Sequence, residues 1–89
     1  MKILLTGAAG QLGNELYPRL TRLGEVTAVD LNCQHSNAEH CRKLDLGDPN
    51  AMEIMLNRLQ ADLIVNAAAF TAKANWLAKR RLKPVAVST

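Results

Sequence analysis

The apolar positions near the start of the chain are contiguous rather than alternating: Ile3, Leu4 and Leu5 stand together between Lys2 and Thr6. That pattern predicts a strand over Lys2 to Thr6 covered by helices on both faces. From Gln11 the period changes. Leu12, Leu16, Leu20 and Leu23 recur at helical spacing and predict a helix from Gln11 to Leu23 with these leucines as its buried stripe. Pro18 falls inside it and removes the hydrogen bond to the Asn14 carbonyl, a loss of about 3 kcal/mol unless the helix kinks. Gly24 is expected to end the helix. Val26 to Asp30 reads as a second strand and Arg42 to Leu46 as a short third. Asp48 and Pro49 then open a second helix, as N-cap and first helical residue. Met52, Met55, Leu56 and Leu59 form its apolar stripe. A buried fourth strand runs from Asp62 to Ala67 or Ala68.

Between the first strand and the first helix lie Gly7, Gly10 and Gly13, three residues apart. A strand, a tight glycine turn and a helix N-terminus in that order form a site for a pyrophosphate, because unpaired amides and the positive end of the helix dipole converge there. Gly7 would allow the sharp turn, Gly10 the approach of phosphates to the backbone, and Gly13 close packing of helix on strand. The spacing is a relative of the G-x-G-x-x-G fingerprint rather than the fingerprint itself. Asp30 lies 23 residues after Gly7, at the end of the second strand, where a carboxylate can accept bonds from an adenosine ribose. It would repel a 2′-phosphate, so NADH is favoured over NADPH. The small residues Ala67, Ala68 and Ala69 follow the fourth strand and would let a ligand lie against the backbone, at the edge where open α/β sheets bind ligands.

Eighty-nine residues make one small domain or part of one. Such a chain buries only roughly 60–65% of its unfolded surface, and it is short for a complete dinucleotide-binding domain. No apolar run approaches the roughly 18 residues of a membrane span. The net charge of +3 divides unevenly: residues 1–71 carry −2 and residues 72–89 carry +5. The basic character therefore belongs to the tail. Cys33 and Cys41, in a chain without a secretory signal, predict reduced thiols and a cytoplasmic location. With His35 and His40 they form a nominal zinc set, but the spacing lacks the usual paired ligands. A loop over the adenine side of the cofactor is the better reading, and no metal is expected.

These residues together resemble the dTDP-4-dehydrorhamnose reductase family of extended short-chain dehydrogenase/reductases. Four stretches carry the likeness: Met1 to Gly13; Ala28-Val29-Asp30; Leu44-Asp45-Leu46 followed by Asp48-Pro49; and Val65 to Ala72. The resemblance implies that Gly10, Gln11 and Leu12 contact the pyrophosphate and Asp30 the ribose. Asp45 and Leu46 would border the adenine, and Ala69, Phe70 and Thr71 the nicotinamide side. The family transfers a hydride from NADH or NADPH to the 4-keto group of a dTDP-linked deoxysugar. A tyrosine serves as acid, a lysine lowers its pKa, and a Ser or Thr helps hold the substrate oxygen. The expected fold is a truncated Rossmann-like α/β domain, a parallel sheet in the order 3-2-1-4-5 with helices on both faces.

After Ala72 the chain departs from the family's Val-Asp-x-Ala-Glu type of segment and reads Lys73-Ala74-Asn75-Trp76. The Tyr-x-x-x-Lys pair is absent: Tyr17 is followed four residues later by Thr21. Residues 1–72 therefore read as the N-terminal part of the NAD(P)-binding domain. Residues 73–89 read either as a frameshifted basic tail or as a return to the family after a deletion. The second is favoured. A short helix through Ala74, Leu77 and Ala78 would end in Lys79-Arg80-Arg81-Leu82-Lys83, where cations suit the dipole. Pro84 would break it, and Val85 to Thr89 would form a strand whose Ser88-Thr89 matches the family's substrate-side threonine. Thr89 is then the one candidate catalytic residue. The expected function is cofactor binding by a fragment inactive alone, with a dTDP-sugar as partner only if the missing part is supplied. Self-association through an exposed sheet edge is also expected. The alternative is a non-catalytic NAD(P)-binding regulatory subunit similar to that of methionine adenosyltransferase. The basic cluster Lys79, Arg80, Arg81 and Lys83 also fits a nucleic-acid or localisation patch, although no aromatic beyond Trp76 is interleaved with it.

Overall fold

The computed structural model describes residues 1–67 and the backbone of residues 84–86. The elements run β1 (Lys2–Thr6), α1 (Gln11–Leu20), β2 (Glu25–Asp30), β3 (Cys41–Lys43), α2 (Pro49–Leu59), β4 (Leu63–Asn66) and β5 (Pro84–Ala86). The strands form one sheet in the order β3-β2-β1-β4-β5, as expected. All pairings are parallel, with Thr6 opposite Val29 on one side and Asn66 on the other. The helix expected through residues 74–83 lies outside the described residues. Pro84 opens β5 rather than preceding it, at a first-residue position where a missing N–H is tolerated.

The contiguous apolar run of β1 divides between two cores, because successive side chains of a strand point to opposite faces. Ile3 and Leu5 face α1, packing with Leu20, Ala28, Val65 and the half-buried Leu12 and Leu16. Leu4 faces α2, packing with Val29, Ile64, Met52, Met55 and Leu56. The methionine stripe is core, as its period indicates. Asp62 fixes the start of the pairing between β1 and β4: its carboxylate accepts from the Lys2 amide at 2.8 Å, and its own amide donates to the Lys2 carbonyl at 2.8 Å.

Helix α1 stops three residues earlier than its leucine spacing predicts. Pro18 lies in its last turn, so the missing bond falls where the helix is already ending. Beyond it the chain tightens into turns, with Arg22 donating to the Arg19 carbonyl and Leu23 to that of Leu20. Leu23 is consequently 60% exposed instead of completing the buried stripe. Gly24 does not end the helix in a left-handed conformation, since Gly7 is the glycine with positive φ. Gly24 is small for another reason: a Cβ there would strike the Met1 carbonyl as the chain enters β2.

Helix α2 begins as the sequence indicates. The Asp48 carboxylate accepts from the amides of Asn50 at 3.0 Å and Ala51 at 3.3 Å. Pro49 occupies the first turn, where its missing N–H costs nothing. Asp48→Ala is expected to lower stability by about 1 kcal/mol. A fall of roughly 4–8 °C in the thermal midpoint, followed by circular dichroism, would register it.

Candidate functional site

Strand order runs outward from β1 to β2 and β3, then reverses to β4 on the other side. The crevice beyond the C-terminal ends of β1 and β4 is therefore the topological switch point of the sheet, where open α/β folds take their ligands. The chain leaves β1 at Thr6 into Gly7, whose φ of 73° is a left-handed conformation that L side chains rarely adopt. The amide of Ala8 donates to the Val29 carbonyl at 3.1 Å and that of Gly10 to the Gly7 carbonyl at 3.2 Å, closing the turn.

The three glycines are small for three different reasons. Gly7 has the backbone angle just described. A Cβ on Gly13 would lie 2.8 Å from Ala8 Cα and would also strike the Gly7 carbonyl, so α1 could not sit against the turn. Gly10 meets neither constraint. Among the described residues a Cβ there would meet only the Gly7 oxygen, at an ordinary 3.5 Å. Gly10 is exposed and stands at the N-cap of α1, with no side-chain cap and no acid in the first turn. The amides of Gln11, Leu12 and Gly13 must therefore be satisfied from outside the helix. The side chain of Gln11 is exposed, while that of Leu12 packs on the α1-side core.

Asp30 closes the other side of the turn. One carboxylate oxygen accepts from the Ala9 amide at 2.9 Å and the other from the Asn32 amide at 3.4 Å. A carboxylate has about four acceptor positions, so capacity remains for further donors. Ala67 follows β4 directly, and its amide donates to the Thr6 carbonyl at 2.9 Å. Beneath them the Thr6 hydroxyl donates to Asn66 Oδ1 at 2.8 Å in the buried interior. Gly7, Gly10, Gln11, Asp30 and Ala67 are thus gathered at one edge. Asp45 caps its own turn by accepting from the Gly47 amide at 2.8 Å, and the Leu46 side chain packs on the α2-side core. Ala68, Ala69, Phe70, Thr71 and Thr89 lie outside the described residues. A separate cleft of about 460 Å³, lined by Val26, Thr27 and Glu39 to Arg42, contains none of these residues.

Two features of the 31–40 loop were not legible beforehand. Cys33 and Cys41 form a disulfide, which corrects the expectation of reduced thiols and removes both sulfurs from the nominal zinc set. The cause is register: β3 begins at Cys41 opposite Ala28, which returns the chain beneath the start of the loop and sets the two Cα atoms 5.7 Å apart. Among the described residues no group of three or more His, Cys, Asp or Glu is placed to hold a metal ion. The second feature is Asn14. Its amide nitrogen donates to the His35 carbonyl at 2.7 Å, and its oxygen accepts from the Asn37 amide at 2.6 Å. A polar residue one turn into an otherwise amphipathic helix was the available signal.

The model of the RmlD substrate binding domain matches residues 1–80. The chain is 39% identical over 72 residues to the dTDP-4-dehydrorhamnose reductase of Burkholderia thailandensis, which covers 81% of this chain and 21% of that protein. It is 42% identical over 72 residues to the reductase of Salmonella typhimurium, covering 81% and 22% respectively. The chain therefore spans about a fifth of the length of the curated relatives it matches. In fold it is similar to the dTDP-glucose 4,6-dehydratase of Bacillus anthracis, solved in complex with NAD, with a TM-score of 0.79 at 22% identity over 100% of this chain and 37% of that one. Glycine turn, strand order and sequence agree, and the chain belongs to the dTDP-4-dehydrorhamnose reductase family of extended short-chain dehydrogenase/reductases.

Proposed function

We propose that this chain is the NAD(H)-binding portion of a dTDP-4-dehydrorhamnose reductase. Gly10 carries the reading. Among the described residues nothing requires a glycine there, and a Cβ would project into the space that a pyrophosphate on the first-turn amides of α1 would fill. The backbone of Gly10, Gln11 and Leu12 would hold the two phosphates, with Gly7 and Gly13 shaping the turn. Asp30 would take the ribose hydroxyls and favour NADH over NADPH. Asp45 and the backbone of Leu46 would border the adenine, and Ala67 to Thr71 the nicotinamide side. When bound, the nicotinamide supplies a hydride for the 4-keto group of a dTDP-linked deoxysugar.

This chain on its own would bind the cofactor without turnover, since it lacks the Tyr-x-x-x-Lys pair. Thr89 alone supplies no proton donor of suitable acidity. The parallel pairing of β5 with β4 supports a return to the family's order after residue 72 rather than an arbitrary tail. A cytoplasmic location and self-association through a sheet edge belong to the same proposal. Among the described residues no helix is long and apolar enough to cross a membrane.

The test is Gly10→Ala with NADH titrated calorimetrically. We expect the dissociation constant to rise at least about tenfold, equivalent to about 1.4 kcal/mol. Stability should change by less than about 1 kcal/mol, since the added methyl meets only ordinary contacts. Equal affinity in the two proteins would remove the diphosphate from this turn. Robust hydride transfer to a dTDP-linked 4-keto-deoxysugar would show that the chain is catalytically complete.

A further inference from the structure

The loop between β2 and β3 is fastened at both ends and in the middle, and two of its fastenings, Asp30 and Asn14, hold Ala9 of the glycine turn at the proposed adenosine end of the cofactor. Asp30, at its start, holds the Ala9 amide of the glycine turn at 2.9 Å. Asn14, on α1, holds the loop at His35 and Asn37 through both atoms of its amide, and its nitrogen lies 3.5 Å from the Ala9 carbonyl. Ala9 is therefore bonded on one side to the strand end that starts the loop, and on the other to the side chain that grips its middle. The Cys33–Cys41 disulfide closes the loop across eight residues. Within it the backbone turns tightly, the Ser36 amide donating to the Cys33 carbonyl at 3.1 Å. The remaining bonds of the loop are short-range turns, Gln34 amide to Asn32 Oδ1 at an exposed position and Ala38 amide to Ser36 Oγ at a part-buried one. Apart from Asn14 and the partial burial of Ala38 and Cys41 against the α1-side core, the disulfide is the main constraint on where the loop sits.

We propose that Cys33 and Cys41 form a reversible thiol–disulfide site that sets the affinity of the cofactor cradle, a reading that rests on NAD(H) occupying the glycine turn. Both sulfur-bearing residues are half-buried rather than sealed in the core, so a small thiol can reach them. In a reducing compartment a disulfide of this kind is transient and sensing rather than structural. The step is a thiol–disulfide exchange. A dithiol attacks one sulfur, the Cys33–Cys41 bond breaks, and a mixed disulfide forms. The second thiol of the reductant then displaces the protein sulfur. Two electrons and two protons end on the cysteines, and the reductant leaves as a cyclic disulfide. With the closure gone, the loop gains conformations in which Asn14 no longer holds His35 and Asn37 together. Ala9 loses one of its two supports. The oxidised form is preorganised for the adenosine end, and the reduced form must reorder the loop to bind.

The experiment compares NADH affinity of the oxidised protein, of the protein reduced with dithiothreitol, and of C33S/C41S, with hydrogen exchange at the Asn37 amide recorded in parallel. If the reduced protein holds the binding conformation about a tenth of the time, its apparent dissociation constant rises about tenfold. The doubly substituted protein should match the reduced one and ignore dithiothreitol. Exchange should quicken at Asn37 and stay slow at Leu4 and Val29. Equal NADH affinity in oxidised and reduced protein would overturn the switch while leaving the cofactor reading intact. Failure of both forms to bind NADH would instead overturn the cofactor reading, and this proposal with it. Faster exchange throughout the core on reduction would also overturn it, because the disulfide would then be holding the fold rather than the loop.

Discussion

Gly13→Ala should lower the thermal midpoint by roughly 5–15 °C and weaken NADH binding together with stability, although alanine is the better helix former. Two effects of opposite sign meet at this position. Replacing glycine inside a helix gains about 1 kcal/mol of propensity. Against that, the new Cβ would stand 2.8 Å from Ala8 Cα and strike the Gly7 carbonyl. Both obstacles are backbone, so no side chain can rotate away. Overpacking of this kind typically costs about 1–3 kcal/mol, and contact with backbone belongs at the upper end. The net loss is then about 1–2 kcal/mol, and each 1 kcal/mol moves the midpoint of a domain this size by roughly 4–8 °C. To relieve the contact α1 must move outward from the turn, carrying the amides of Gln11 and Leu12 with it. Affinity should therefore fall even in the fraction that stays folded. An unchanged midpoint with unchanged NADH affinity would show that helix and turn are not packed as closely as described.

Asp30→Ala should weaken NADH binding by roughly 10–150-fold, corresponding to about 1.5–3 kcal/mol for a hydrogen bond to a charged group. The substitution has two consequences. It removes the acceptor that the ribose would use, and it strips the Ala9 amide of its partner at 2.9 Å, so the turn loses definition as well. NADPH separates the two. Loss of the negative charge removes repulsion toward a 2′-phosphate, so NADPH affinity should fall much less than NADH affinity and the preference should move toward NADPH. Titration of both cofactors into both proteins measures this directly. A parallel fall for the two would mean that Asp30 acts only through the glycine turn. No fall for either would place the ribose elsewhere.

Much of this architecture could be read from the residues because the decisive signals are local. The uninterrupted Ile3-Leu4-Leu5 run needed two covered faces, and the structure gives one face to each helix. Asp48-Pro49 fixed the start of α2 through a cap that depends on its own next three residues. Gly7 answered to its own backbone angle, and Gly13 to Ala8 and the Gly7 carbonyl less than two turns of chain away. What escaped was set by contacts between distant segments. The disulfide depends on β3 starting opposite Ala28, a register that no cysteine spacing contains. Asn14 reaches a loop more than twenty residues away. Leu23 fits the helical period, but the helix ends before reaching it, since the proline turn directs the chain toward Met1. Local chemistry placed the glycine turn, while long-range register decided how the loop beside it is fastened.

The placement of β1 has a consequence for the order in which this protein can assemble. β1 is synthesised before both of its partners, yet it lies in the middle of the sheet and pairs with both β2 and β4. Its first partner arrives within about one helix of chain. The second, with the Thr6–Asn66 bond that joins them, is separated from it by 60 residues. On a ribosome the N-terminal β–α–β unit can therefore collapse early, while one flank of β1 waits bare for β4. That nascent interval, rather than the finished fold, is when Ile3, Leu4 and Leu5 are most open to capture by a chaperone or by another chain.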